Sequence, residues 1–131
     1  MLGVAQRSPM SDRPQELKPR TKQFALRVIR MYSKLPGRNV VAQVLGKQVL
    51  RSGTSVGANY REACRSRSKA EFIAKVGDSL KEIEESEYWL ELLVDSGCVP
   101  AAKMANLLDE SRQLIAIFTT IDKKAKGSRH P

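Results

Sequence analysis

One histidine, His130, and two cysteines, Cys64 and Cys98, are all the imidazole and thiol chemistry that these 131 residues hold. The histidine sits four positions past Lys126 in a polar tail, and the cysteines form no C-x-x-C pair, so neither a zinc cluster nor a redox dithiol is written into the chain. Structural thiols in a reducing compartment are the expectation. A di-metal helical bundle fails on the same ground, because it needs inward-facing Glu-x-x-His pairs. Serines have no histidine base near them, which removes a catalytic triad. No apolar run reaches the roughly 18 residues of a membrane span, and M-L-G-V-A-Q-R-S-P has no apolar stretch of secretory length. The expectation is therefore a cytoplasmic protein without a membrane partner, a metal or a cofactor, and not an enzyme.

Acidic residues are scarce in the first half of the chain. The whole sequence has 23 Lys and Arg against 14 Asp and Glu, a formal charge of +9. Residues 1–69 hold 15 basic and 3 acidic side chains, whereas residues 70–131 hold 8 basic and 11 acidic. A cationic half of this kind fits nucleic acid or another polyanion. Exposed aromatic candidates in that half are few, Tyr32 and Tyr60, which argues against base-stacking readout and for weakly selective contact with the phosphate backbone.

What is abundant is helical periodicity. Thr21 reads as the cap of a first helix after Pro19, with Phe24, Val28, Met31 and Leu35 on one face until Pro36-Gly37 ends it, and with Arg27, Arg30 and Lys34 on another. A second helix runs from about Asn39 to Cys64. On it Lys47, Arg51, Arg61 and Arg65 form a basic stripe with only Thr54 and Ala58 between them. Val41, Leu45, Val49, Val56 and Ala63 form an apolar face, while Gly46, Gly53, Gly57 and Cys64 leave a third face nearly bare. Interior glycines cost a helix roughly 1 kcal/mol each relative to Ala, so close approach of another helix is the expected compensation. On that reading Gly57→Leu overpacks the contact, and Gly57→Ala gains a few tenths from helix propensity. The segment S-G-T-S-V-G lacks the G-x-x-x-x-G-K-[ST] pattern and a preceding strand, and so is not a phosphate loop.

Ser68 and Glu71 form a capping box for a third helix whose seam is Phe72, Val76, Leu80, Ile83, Leu90 and Val94, ended by Ser96-Gly97. Glu87 interrupts that seam and, unless it is solvated at the seam edge, requires a partner, with Asn59 or an arginine of the second helix as the candidate. The turns containing Tyr88, Trp89, Leu92 and Leu93 are apolar nearly all round, and a lone bundle is expected to leave Trp89 and Leu93 exposed for an interface between subunits. Pro100 opens a fourth helix carrying Met104, Leu107, Leu108, Leu114, Ile115, Phe118 and Ile121, with Lys123, Lys124 and Lys126 complementing its dipole. Short connections and the lack of strand alternation point to an all-α, antiparallel up-down-up-down four-helix bundle over residues 20–126. A disordered tail is expected at 1–19 and a C-terminal tail at 127–131.

The segments S-V-G-A-N-Y-R-E-A (Ser55 to Ala63), R-S-K-A-E-F-I-A-K (Arg67 to Lys75) and S-L-K-E-I-E-E-S-E-Y-W-L-E-L-L (Ser79 to Leu93) resemble the bacterial four-helix-bundle family encoded in intervening sequences of large-subunit ribosomal RNA genes, often labelled S23-type. The likeness spans about Thr21 to Lys124. It implies an antiparallel protomer assembled into a homopentameric ring, and kinship with the accessory variability proteins of diversity-generating retroelements, which engage nucleic acid and a reverse transcriptase. The family's small-residue motif falls on Ser55, Gly57, Ala58 and Asn59, and the motif opening helix three falls on Ser68, Glu71 and Phe72. Tyr60-Arg61 stands where many members have a smaller or apolar pair. The family carries no catalytic residues to transfer. Non-catalytic RNA or DNA binding through Arg27, Arg30, Lys34, Lys47, Arg51, Arg61 and Arg65 is the leading expectation. Gly46, Gly53, Gly57 and Asn59 are the expected helix-packing residues. The alternative is a scaffold or accessory subunit that docks a reverse transcriptase or an acidic partner.

Overall fold

Caps and glycines divide the chain into four helices. The computed structural model describes residues 14–127, with α1 at Pro14–Ser33, α2 at Val40–Cys64, α3 at Lys69–Asp95 and α4 at Ala101–Gly127. No strand occurs among the described residues. Asn39 caps α2 by accepting the N–H of Ala42 at 3.0 Å, and Ser68 caps α3 by accepting the N–H of Glu71 at 3.0 Å. The Glu71 carboxylate reaches back to the N–H of Arg67 at 2.8 Å, so the box closes one residue upstream of its usual partner. At the far end of α3, Gly97 takes φ +83°, a left-handed conformation that lets the N–H groups of Cys98 and Val99 fold back onto the Leu93 carbonyl.

The first helix begins earlier than its sequence signals indicate. Residues 14–19, expected within a disordered tail, are helical, and Pro19 lies inside α1. Thr21 is no cap: its hydroxyl is buried and donates to the Leu17 carbonyl one turn back at 2.7 Å. Leu17 supplies the reason for the extension, since its side chain is fully buried in the core and the helix must continue past Pro19 to deliver it there. The tail expectations for residues 1–13 and 128–131 lie outside the described residues. Pro100, expected in the first turn of α4, immediately precedes it and accepts the N–H of Lys103.

Each helix packs beside its neighbour in sequence, and α4 returns to α1, the pair that shares least contact. Antiparallel register is fixed by two cross-pairs between α2 and α3, Ser52 with Ser86 midway along α2 and Glu62 with Lys75 near its C-terminal end. The centre is filled by Phe24 and Val28 of α1, Val49, Val56 and Tyr60 of α2, Val76, Ile83, Leu90 and Leu93 of α3, and Met104, Leu114, Ile117 and Phe118 of α4. Tyr60 meets Phe118 edge-on, with ring centroids 5.6 Å apart.

The bare face of α2 lies against α1, as its glycines require. A Cβ at Gly46 would stand 2.5 Å from Leu35 Cδ1 and 2.8 Å from Tyr32 Cδ1, one at Gly53 3.0 Å from Val28 Cγ2, and one at Gly57 2.9 Å from Thr21 Oγ1. These are sub-contact distances, so the lost helix propensity is traded for backbone proximity. These contacts turn the expectation for Gly57→Ala from a gain to a loss, because the added methyl would also meet Thr21 Cβ at 3.2 Å. Cys64, the last residue of α2 on this face, is exposed. Asn59 is half-buried and shares the Ser52 side of α2, turned toward α3 and away from the glycines.

Two further expectations need correction. Leu93 is fully buried in the protomer core and Trp89 is half-buried against it, because α3 is flanked on both sides, by α2 and by α4. Glu87 finds its partner on α4, where Arg112 Nε donates to it at 2.8 Å, and not on α2. Arg112 also reaches Glu91 at 3.2 Å, and this double acceptor raises the already high pKa of its guanidinium.

Candidate nucleic-acid interface

From Leu17 to Arg61, a span of 45 residues covering most of α1 and α2, the sequence contains no Asp or Glu and ten Lys or Arg. The basic side chains of this span are held outward by packing of the opposite faces, with no carboxylate inside the span to neutralise them. Arg30, Lys34, Lys47, Arg51, Arg61 and Arg65 are exposed, and Arg27 is half-buried. Two carboxylates of α3 do reach the stripe. Arg51 donates to Glu85 at 3.1 Å and lies 3.5 Å from Glu82. Its charge is spent on α3, although the guanidinium is 54% exposed.

Helical phase explains why Arg51 differs from Arg61. Ten residues separate the two, which leaves them about 80° apart around the axis. Arg51 leans toward α3 and its glutamates, whereas Arg61 leans toward α1. There it borders a groove of about 240 Å³ lined by Thr21, Lys22 and Ala25 of α1 and by Thr54, Gly57, Ala58 and Arg61 of α2. Thr21 and Thr54 donate their hydroxyl protons to the carbonyls of Leu17 and Leu50, at 2.7 and 2.8 Å, so the groove's free donors are Lys22 and Arg61. Glu62, the acidic residue nearest Arg61 in sequence, is held on the opposite flank by Lys75 at 2.7 Å. That hydrogen bond draws the Glu62 carboxyl below its ordinary range and raises Lys75.

The sequence therefore grouped the cations only in part. Lys47, Arg61 and Arg65 share an open face, Arg51 is diverted, and Arg27 and Lys34 occupy the flank of α1 that carries Arg20, on the side of α4. Lys22, absent from the sequence-derived set, is brought to the groove because Gly57 lets α1 approach. The signal that places it there is the Gly53–Gly57 spacing combined with the register of the α1–α2 hairpin. Arg20 was not distinguished by sequence either. It binds Glu110 through two hydrogen bonds of 2.8 and 2.9 Å and Gln113 through another of 2.9 Å, fastening α1 to α4. The Glu110 hydrogen bonds raise its pKa.

Neither tyrosine offers a free stacking platform in this half. Tyr60 is buried, and the half-buried Tyr32 donates its hydroxyl to Gln43 at 3.0 Å. Among the described residues no group of three or more His, Cys, Asp and Glu side chains is arranged to hold a metal ion. No helix in that range is long and apolar enough to cross a membrane. Val40, Val41 and Val44 in the first turns of α2, and Tyr88 of α3, are exposed large apolar side chains. Val41 was expected on the buried face. Tyr88 stacks at a tilt on Trp89, 5.1 Å between centroids, and the buried indole nitrogen of Trp89 has no hydrogen-bond partner among the described residues. Leu92 is half-buried there.

No curated protein matches the chain. A solved structure, described as a protein with unknown function from the S23 ribosomal protein family of Bacteroides thetaiotaomicron VPI-5482, superimposes with a TM-score of 0.78 at 36% sequence identity, covering 84% of this chain and 97% of that one. The model of the 23S rRNA-intervening sequence protein family matches residues 15–120, from the first turn of α1 to the last third of α4. The chain belongs to the 23S rRNA-intervening sequence protein family, the S23-type four-helix bundles.

Proposed function

We propose that this protein is a non-catalytic binder of nucleic-acid backbone, acting through the cationic face of α1 and α2 as a homo-oligomer. The observation that carries the reading is the acid-free span from Leu17 to Arg61, whose exposed cations, Arg51 apart, make no ion pair with a carboxylate among the described residues. Backbone charge and not base identity is the recognised feature, since Tyr32 and Tyr60 are engaged within the fold. RNA and DNA both fit this chemistry. If about six phosphates are neutralised, log K falls against log[salt] with a slope near −5 for duplex and near −4 for single strands. Titration of labelled oligonucleotides of unrelated sequence at several salt concentrations tests it. A flat salt response, or absence of binding at low salt, overturns it.

A second reading, an accessory subunit that docks a protein such as a reverse transcriptase, is favoured by the exposed Val40, Val41, Val44 and Tyr88. The same side chains support self-association, and the family resemblance implies a pentameric ring. Native mass spectrometry separates the assemblies: a species of five times the 14.6 kDa chain supports the ring, and a monomer at micromolar concentration removes it.

A further inference from the structure

We infer that the α1–α2 groove is a discrete seat for one sugar-phosphate unit, gripped by Lys22 from one wall and Arg61 from the other; the inference rests on the backbone-binding function proposed above. The groove offers about 240 Å³. That is more room than a bare anion uses, and the surplus is lined by the methyl groups of Ala25 and Ala58 and the bare backbone of Gly57. Two cations at the rim and an apolar floor match a phosphodiester with its ribose or deoxyribose face, the cations taking the phosphate oxygens and the methyl groups the sugar. The threonine hydroxyls, committed as donors to Leu17 and Leu50, add no proton for the anion. Selection therefore comes from the Lys22–Arg61 pair. No ion pair with a carboxylate holds either side chain in another position among the described residues.

Gly57 has a second role on this account. The close approach that it permits sets the width of the groove, so the glycine of the helix crossing also sets the spacing of the two cations across the backbone that they grip.

Full-length protein is titrated with a labelled oligonucleotide by fluorescence anisotropy, comparing wild type, Lys22→Ala, Arg61→Ala, the double variant and Lys103→Ala, a loss of one exposed cation at the start of α4. Each groove variant is expected to weaken binding about five- to tenfold, and the double variant by less than the product of the two, because both residues hold one phosphate. The double variant's salt slope should become shallower by about 0.7 to 0.9, the value of a single phosphate. Lys22→Arg and Arg61→Lys should retain most of the affinity. Circular dichroism melts confirm that each variant is folded. Groove variants no weaker than Lys103→Ala, or a double variant equal to the product of the singles, overturn the shared seat while wild-type binding leaves the proposed function standing. A wild-type protein that does not bind overturns both.

Discussion

Arg51 Nη2 lies 3.1 Å from Glu85 Oε1, and this contact divides what reads in sequence as one basic stripe into a paired cation and free ones. An exposed pair of this kind adds about 0–1 kcal/mol to stability, so its importance lies in the charge that it withholds from the surface. Glu82→Gln with Glu85→Gln should release Arg51, tighten nucleic-acid binding and steepen the salt slope by about 0.7 to 0.9. In an Arg51→Ala background the same two changes should lose most of that gain. If the gain is equal in both backgrounds, general repulsion by the glutamates and not sequestration of Arg51 is the cause.

Glycine substitutions should divide by location. Gly57→Ala places a methyl 2.9 Å from Thr21 Oγ1 and is expected to destabilise, and Gly57→Leu should do so by about 1–3 kcal/mol or more. Gly77 lies within α3 with nothing within 4 Å of an added Cβ, so Gly77→Ala should stabilise by about 0.5–1 kcal/mol. Chemical denaturation of the pair checks both signs. A stabilising Gly57→Ala would show that α1 yields at the crossing.

Much of this was legible in the sequence. Asn39, Ser68 and Gly97 act locally, so their chemistry is visible without knowledge of the fold, and the glycine ladder signals a close helix approach without naming the helix that makes it. Arg112 meeting Glu87 and Arg20 meeting Glu110 are contacts between distant segments whose partners depend on helix register, and charge alone did not distinguish them from other arginines. Pro19 and Thr21 misled for the opposite reason. Both carry start signals, and burial of Leu17, upstream of Pro19 and of Thr21, overrode them. The basic face was visible as a stripe, but its division between Arg51 and Arg61 follows from α3 supplying glutamates on one flank and α1 supplying Lys22 on the other.

The α2–α3 crossing contains a directed hydroxyl pair. Ser86 Oγ lies 2.9 Å from the Glu82 carbonyl and 2.7 Å from Ser52 Oγ. Ser86 has one proton and gives it to the carbonyl, which makes Ser52 the donor between the two side chains. Ser86→Ala removes the acceptor and leaves the buried Ser52 hydroxyl to find another, so it should cost about 1 kcal/mol. Replacing both by Ala should cost less than the sum of the single changes, because no orphaned donor remains. Additive losses in a double-mutant cycle would show that the pair contributes no coupling.

Tyr60 gives the bundle a defined alkaline limit. Its side chain is 1% exposed against Phe118, and burial first, with the neighbouring Cys64 second, raises the phenol pKa above its ordinary 10.0. In the unfolded chain the phenol ionises near 10.0, whereas in the folded chain it stays protonated to higher pH. Stability from this residue is therefore complete below pH 10.0 and is lost as pH rises from there through the folded value. Within that window the unfolded state releases one more proton than the folded state, which costs about 1.4 kcal/mol per pH unit. Tyr60→Phe keeps the ring and removes the proton. Its stability should fall less steeply than that of wild type above pH 10.0, and the loss of Lys75 pairing at high pH, common to both proteins, cancels in the difference. Urea unfolding followed by circular dichroism at successive alkaline pH values measures the two slopes. Equal slopes would mean that the Tyr60 phenol ionises in the folded protein as readily as in the unfolded chain, and that its burial does not set the alkaline limit.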